Sequence, residues 1–248
     1  MALIHSFEKS GNYLFRNRGH IPVFLFILAI PVIYITDISH FSRLSVLIFQ
    51  VVAISLSVTG FAIRALTIGS TPAGTSGRNT REGQVAEELN TTGIYSIIRH
   101  PLYLGNYLMW IGIVIFTYNI YFIVIISLAY WLYYERIMFA EERFLEKKFG
   151  QAYLDWSMKA PAFFPAFKKY RKSKMPLSIR SILRREYSGV LATVFSFCFV
   201  DNLRYYFETG SFELTRISNI ILAVTIVVVI ILRSLKHYTK VLNEKGRS

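Results

Sequence analysis

Long apolar runs separated by short polar segments set the pattern of this chain. Six runs stand out, at residues 21–36, 44–68, 102–117, 120–134, 187–207 and 217–232. Crossing the hydrocarbon core of a bilayer takes about 20 mainly apolar residues in a helix. The first, third and fourth runs are shorter, so they need local thinning of the bilayer or help from interfacial residues. The pattern predicts an all-α fold, a polytopic transmembrane helix bundle of about six spans, with four or five as the alternatives.

The segments between the runs predict the connections. Only Tyr118 and Asn119 separate the third and fourth runs, which indicates a tight helical hairpin or a partly re-entrant pair. Residues 69–90 are rich in Gly, Ser, Thr and Asn, a composition typical of turns. Residues 135–156 predict a cytoplasmic amphipathic helix that continues out of the fourth span and is interrupted at Gly150.

The charge distribution predicts the orientation in the membrane. Charged residues make up 17% of the chain, against about 25% in a soluble domain. If both termini are cytoplasmic, all 28 Lys and Arg residues except Arg43, Arg204 and Arg216 lie on the cytoplasmic side, as the positive-inside rule requires. Topology therefore accounts for the net charge of +13, and we expect no nucleic-acid partner. The basic residues 159–185 are expected to lie on anionic phospholipid headgroups.

Several common features are missing from the sequence. No cleavable signal peptide is evident, so the first run is expected to remain as a signal anchor. The single cysteine, Cys198, excludes an intramolecular disulfide framework and a Cys-rich metal site. Walker A, Gly-x-Gly-x-x-Gly, metal-ligand and serine-elbow motifs are also missing. We therefore expect neither a Rossmann cofactor domain nor a bound metal.

One helix entrance combines a cation, an imidazole and two tyrosines. Pro101 suits the first turn of a helix, which is predicted to begin there. Arg99 and His100 then lie at the entrance, near the positive end of the helix dipole, while Tyr103 and Tyr107 share one face. Such a helix N-terminus forms an anion-binding mouth. The alternative is anchoring at the headgroup level, which Arg, His and Tyr commonly provide.

A second charged cluster follows the fourth run, at residues 141–153. Tyr134, Met138 and Glu141 lie on one helical stripe, so Glu141 can point back toward the bundle. The alternative is a solvated helix with Glu–Lys pairs on its surface. Both clusters emerge on the same predicted cytoplasmic face.

The two clusters carry a pair of motifs. Residues 93–105 read Gly-x-Tyr-x-x-x-Arg-His-Pro-x-Tyr-x-Gly, and residues 141–153 read Glu-Glu-x-x-Leu-x-x-x-Phe-Gly-x-x-Tyr. Over roughly residues 44–165, the chain resembles the isoprenylcysteine carboxyl methyltransferase and phospholipid methyltransferase superfamily of membrane enzymes. The resemblance implies an S-adenosyl-L-methionine-dependent methyltransferase with its cofactor pocket in the cytoplasmic half of the bundle. The cofactor-binding residues that it implies are Tyr95, His100, Pro101, Leu102, Tyr103 and Glu141, with Glu88, Leu89 and Asn90 along the approach.

The acceptor is expected to be a lipid from the bilayer, and three chemistries compete: a prenylcysteine carboxylate, a phospholipid amine and a lipid phosphate. Superfamily members that methylate a carboxylate place an arginine one turn before the Glu pair, where this chain has Ile137. Their C-terminal Arg-x-Pro is also altered, to Lys-Ala-Pro at residues 159–161. Residues 75–84 and 90–93 look most like bacterial members, which include a lipid A phosphate methyltransferase. The sequence therefore favours O-methylation of a lipid A-type phosphate in a bacterial inner membrane.

An acceptor that is already an oxyanion needs no general base, only cations that orient it. Arg99, Arg136 and Arg143 are the predicted catalytic residues of this kind. Two other classes stay open: a sterol-reductase-like enzyme that uses NADPH, and a non-enzymatic lipid-binding or scaffold protein. The predicted divisions are an N-terminal region and first span at 1–43, a methyltransferase core at 44–165, a basic linker at 166–186 and a two-span extension at 187–248. The sequence predicts no oligomeric state.

Overall fold

The computed structural model describes residues 2–19, 21–75, 79–80, 83–84 and 86–247. Arg78 and Arg81, which the topology counts as cytoplasmic, lie outside the described residues, as does most of the loop at 75–84. The helices in chain order are α1 (Leu3–Asn17), α2 (Ile21–Ile35), α3 (Arg43–Gly69), α4 (Pro101–Ile115), α5 (Ile120–Phe149), α6 (Gln151–Ser157), α7 (Ile179–Thr209) and α8 (Ile217–Tyr238). A two-residue hairpin of β1 (Asn79–Thr80) and β2 (Gly83–Gln84) and two 3₁₀ turns, Ile94–Ser96 and Phe167–Lys169, complete the described elements.

Each predicted span coincides with a helix, and the all-α polytopic membrane fold is confirmed. Helices α3, α5 and α8 are long and apolar enough to cross a membrane, while α2 and α4 are shorter apolar helices. The longest helix, α7, carries three charged groups that are partnered within the bundle. Glu186 pairs with Arg64 and Asp201 pairs with Arg216, while Arg204 donates to backbone carbonyls. Charges inside a membrane bundle are expected to be paired in this way.

Local signals explain where the helices begin and end. Ser42, Asn119 and Ser178 precede α3, α5 and α7, and each side-chain oxygen accepts a hydrogen bond from the backbone N–H three residues on. Pro101 occupies the first position of α4, as predicted. Gly150 has a φ of 52°, a conformation that costs glycine little, and it separates α5 from α6. The predicted hairpin between the third and fourth runs and the interruption at Gly150 are both confirmed.

Helices α3 and α4 approach closely because small residues line their contact. A Cβ atom at Gly105 would lie 2.8 Å from the Gly60 carbonyl oxygen and 2.6 Å from Cγ of Arg64. A Cβ atom at Gly60 would lie 2.8 Å from the Met109 amide nitrogen. Small residues at such crossings let helix backbones pack closely in membranes. The same contact leaves room for the stem of the Arg64 side chain.

The two ends of the bundle have different roles. At one end, the Arg204 guanidinium donates to the carbonyls of Thr36 and Thr117, which ties α7 to the ends of α2 and α4. At the other end, α3 ends where α4 and α7 begin, and long connections cover the opening. This second end carries both sequence motifs.

The segment predicted as a basic linker, residues 166–186, is irregular at first and helical at its end. Helix α7 begins at Ile179, so the last residues of that segment are helical. Before α7, the backbone is tied to the first motif: Gly93 N–H donates to Arg171 O at 2.9 Å, and Ala166 N–H donates to Ile97 O at 2.9 Å. Lys168 and Lys169 are exposed, and the Lys169 ammonium donates to the Lys159 carbonyl at 2.7 Å. Contact of this segment with headgroups stays a prediction.

The N-terminal helix α1 has no counterpart among the predicted elements. It packs along α5, where Gly11 of α1 leaves no room for a side chain against Arg136 and Ala140. Tyr133 also donates to the Leu14 carbonyl at 2.9 Å, and Lys147 pairs with Glu8. Its 15 residues are shorter and more polar than a membrane span, so the pattern of apolar runs does not reveal it.

Candidate functional site

A cavity of about 310 Å³ opens at the end of the bundle that carries the two motifs. Every residue predicted to bind the cofactor lines it, although these residues come from three separate stretches of chain. They are Glu88, Leu89 and Asn90 before the first motif, Tyr95, His100, Pro101, Leu102 and Tyr103 within it, and Glu141 on α5. The volume lies at the lower end of the range of about 300–1,000 Å³ that is typical of small-molecule sites.

His100 joins the two motifs at the cavity wall. Its Nε2 lies 2.8 Å from a carboxylate oxygen of Glu142, and its Nδ1 lies 3.6 Å from one of Glu141. The imidazole also stacks on the Tyr103 ring, with centroids 5.6 Å apart. Burial lowers the pKa of His100, but the hydrogen bonds and charges of the two carboxylates outweigh burial, so the pKa is raised above its usual value. The cationic form of His100 is therefore favoured between the two glutamates.

Arg99 is held by groups of the protein itself. Its Nε and Nη2 donate to the two carboxylate oxygens of Glu142 at 2.8 and 3.3 Å. Its Nη1 donates to the carbonyls of Ser157 and Ala160, both at 2.7 Å. Arg99, which was predicted to orient an anionic acceptor, thus lines the cavity, while its guanidinium links α5 to the end of α6.

The other two predicted catalytic arginines lie away from the cavity wall. The Arg136 guanidinium lies over the Phe7 ring of α1, 3.5 Å from its centroid. Arg143 pairs with Glu146 one helical turn on, at 2.7 Å. Arg136 and Arg143 are five positions before and two positions after Glu141, which puts them about 140° and 160° around the helix from it at 3.6 residues per turn. Their positions do not support a role in orienting an acceptor.

Several residues that line the cavity were not predicted from the sequence. Glu142, interpreted as part of a solvated helix, holds both Arg99 and His100. Arg64, Asn106 and Glu186 line the cavity from α3, α4 and α7, far apart in the chain. An arginine and a glutamate inside or next to apolar runs are the signals that could have drawn attention to them, because such charges are rarely left unpaired in a membrane.

The wall of the cavity suits the parts of S-adenosyl-L-methionine. Carboxylates such as Glu141 accept hydrogen bonds from ribose hydroxyls or an ammonium group, and arginines can meet a carboxylate. The rings of Tyr103 and Tyr134 also line the cavity, and aromatic rings are suitable contacts for a sulfonium or an adenine ring. Trp156 fixes the opposite wall, because its indole N–H donates to the Tyr95 carbonyl at 3.0 Å. Among the described residues, no group of three or more His, Cys, Asp or Glu residues could hold a metal ion.

Part of the chain matches a family model and several known proteins. Residues 46–152 match the model of the phospholipid methyltransferase family. The match covers less than half of the chain and shows a segment similar to that family. The matched segment contains the first motif, all but the last residue of the second and most of the cavity wall, whereas α1, α2, α7 and α8 lie outside it.

Curated relatives also match part of the chain. The chain is 36% identical over 89 residues to a nickel-cobalt-cadmium resistance protein of Alcaligenes xylosoxydans xylosoxydans, which is 36% of this chain and 41% of that protein. It is 31% identical over 77 residues to a protein-S-isoprenylcysteine O-methyltransferase of Schizosaccharomyces pombe, which is 31% of this chain and 33% of the relative. A protein-S-isoprenylcysteine O-methyltransferase B of Arabidopsis thaliana is 32% identical over 80 residues, 32% of this chain and 40% of its own length. The matched stretch is therefore less than half of each relative, and no solved structure matches the chain.

Proposed function

We propose that the protein is an S-adenosyl-L-methionine-dependent methyltransferase of the membrane, acting on a lipid or lipid-linked acceptor. The observation that carries the proposal is the contact of His100 with both Glu141 and Glu142, which joins the two family motifs at one cavity. Each motif alone is compatible with a headgroup anchor or a solvated helix. Their meeting around a shared polar cavity is what a cofactor site requires.

The residues of the site have separate tasks. S-adenosyl-L-methionine supplies an activated methyl group when it is bound. Glu141, 15% exposed, accepts hydrogen bonds from hydroxyl or amino groups at the wall. His100 lies between Glu141 and Glu142 and contacts both carboxylates, and Arg99 pairs with Glu142. The buried Tyr103 and Tyr134 rings exclude water from the inner end, so the site acts mainly by alignment.

The acceptor is proposed to be of the type used by isoprenylcysteine and phospholipid methyltransferases. The relatives named above include isoprenylcysteine O-methyltransferases, and none of the names refers to lipid A. A lipid A-type phosphate is therefore retained as one acceptor to be tested, behind the carboxylate and the amine. The excess of Lys and Arg at the cavity end supports a site that faces the cytoplasm.

Cofactor binding is tested first, by calorimetry on the purified protein in detergent. Wild type is expected to bind S-adenosyl-L-methionine, and Glu141→Gln is expected to weaken binding about tenfold or more, because a charge-assisted hydrogen bond contributes about 1.5–3 kcal/mol. Glu135→Gln, an exposed glutamate on the same helix, serves as the matched control with unchanged affinity. Binding of NADPH in place of S-adenosyl-L-methionine would favour the reductase alternative, and binding of neither would favour a non-enzymatic lipid-binding protein.

Methyl transfer is tested second, with methyl-labelled cofactor and three separate acceptors in mixed micelles. These are a farnesylcysteine carboxylate, phosphatidylethanolamine and a lipid A phosphate. Label in any of them, lost in Glu141→Gln, supports the proposal. Cofactor binding with no label in any lipid fraction contradicts a lipid acceptor.

A further inference from the structure

Arg64 lies on the boundary between two cavities of different character. The first is the polar cavity of about 310 Å³ described above. The second, of about 210 Å³, lies deeper between α2, α4 and α7, with a wall that includes Leu25, Ala29, Ile113 and Val200. Arg64 and Asn106 line both cavities. A lipid whose polar group contacts the Arg64 guanidinium at this boundary would place that group next to the cofactor site. The hydrocarbon chain of the lipid would then stay in apolar surroundings.

The Arg64 side chain is fixed by two partners but retains donors. Its Nε and Nη2 donate to the carboxylate of Glu186 at 2.8 and 2.6 Å, and its Nη1 donates to the Asn106 side-chain oxygen at 2.6 Å. A guanidinium has five N–H donors, so these bonds leave one on each Nη without a partner among the described residues. Glu186 is 2% exposed, so it holds the guanidinium rigidly in a bidentate pair.

The charges around the polar cavity do not favour a cationic acceptor. Among the described residues, four arginines line it, at positions 18, 64, 99 and 185, against four glutamates, at positions 88, 141, 142 and 186. His100, whose cationic form is favoured, adds a positive charge to this wall. S-adenosyl-L-methionine carries a net positive charge, from its sulfonium and ammonium against one carboxylate, so a bound cofactor increases the positive excess. An anionic acceptor reduces that excess, whereas a protonated amine would add to it.

We infer that Arg64 binds the oxyanion of the acceptor, and that Glu186 of α7 is the positioning residue that holds Arg64 there. The inference rests on the proposed function and narrows its acceptor to a carboxylate or phosphate. It also gives α7, which lies outside the family segment, a part in the site. The acceptor oxygen forms a bond to the methyl carbon as the carbon–sulfur bond breaks, and the electron pair of that bond goes to sulfur. No proton is released, so the site needs no general base.

Kinetics with labelled cofactor tests the role of Arg64. Arg64→Lys keeps the charge but loses the fork geometry, and it is expected to raise the acceptor KM about tenfold while the Kd for S-adenosyl-L-methionine stays unchanged. Glu186→Gln weakens the hold on the guanidinium, and it is expected to raise the acceptor KM in the same direction by a smaller factor. Arg43→Lys, an exposed arginine at the far end of α3, is the matched control with wild-type KM.

A double substitution tests the inference without leaving a buried charge that could prevent folding. Arg64→Met combined with Glu186→Met removes both charges together, so no buried charge is left without a partner. This double variant is expected to bind S-adenosyl-L-methionine as wild type does and to lose transfer to a farnesylcysteine carboxylate and to a lipid phosphate.

Three outcomes overturn the inference. They are an unchanged acceptor KM in the folded variants, a weakened Kd for S-adenosyl-L-methionine, which would assign Arg64 to the cofactor, and transfer by wild type to the amine of phosphatidylethanolamine alone. Failure of wild type to bind the cofactor at all is a separate result, because it overturns the proposed function itself. Label in the carboxylate supports a prenylcysteine-type source, and label in the phosphate supports a phospholipid or lipid A source.

Discussion

Replacing Arg99 by methionine tests whether this arginine stabilises the fold or binds the acceptor. The sequence pattern predicts a guide for an anionic acceptor, whereas the structure gives the guanidinium four hydrogen bonds within the protein. Arg99→Met therefore leaves the carbonyls of Ser157 and Ala160 without their donor and deprives Glu142 of its arginine. We expect the loss to fall on the stability of the fold around the cavity.

The magnitude follows from those bonds. Hydrogen bonds to a charged group contribute about 1.5–3 kcal/mol each, and loss of a partly buried pair also leaves a carboxylate to be solvated. The Arg99 and Glu142 side chains are 16% and 27% exposed, so water can replace only part of what is lost. Allowing for that replacement, we expect a loss of about 3–5 kcal/mol. In a chain of this size each kcal/mol shifts Tm by about 2–4 °C, so Tm should fall by roughly 10 °C.

Thermal unfolding in detergent, followed with and without S-adenosyl-L-methionine, measures this loss. Arg143→Met is the matched control, since its pair with Glu146 is local and about a third exposed and should contribute roughly 0.5 kcal/mol or less. If Arg99→Met keeps the wild-type Tm and raises only the acceptor KM, then Arg99 is the acceptor guide after all and the structural interpretation is refuted.

Two further predictions concern the helix crossing and the buried imidazole. Gly60→Ala would push a methyl group against the Gly105 carbonyl and the backbone of α4, so it should cost about 1–3 kcal/mol in unfolding free energy, while Gly19→Ala, with nothing within 4 Å, should be neutral. Equal Tm values for the two alanine variants would contradict the close crossing. Since the pKa of His100 is raised in the folded protein, its contribution to stability is complete below its usual value of 6.5 and is lost as the pH rises through the raised value. The Tm difference between wild type and His100→Gln should therefore shrink as the pH rises above the usual pKa of about 6.5, and a difference that grows would mean that the imidazole is held neutral.

The sequence alone determined the class of fold and much of the site. Apolar runs of spanning length predict helices whatever their neighbours, because an unpaired backbone in a bilayer is too costly. The start of α4 at Pro101 and the turn at Gly150 followed from the limited backbone freedom of proline and the unusual freedom of glycine. The paired motifs identified the residues that meet at the cavity, including His100 and Glu141.

Only the tertiary structure decided which charges face the cavity and which serve the scaffold. Arg99, Arg136 and Arg143 are equivalent in sequence as cations near a motif, but one clamps α6, one lies on a ring of α1 and one pairs along its own helix. Their distances to other elements depend on how the helices cross, which periodicity does not encode. Likewise, Arg64 and Glu186 are 122 positions apart, so only the packing of α7 against α3 joins them at the cavity wall.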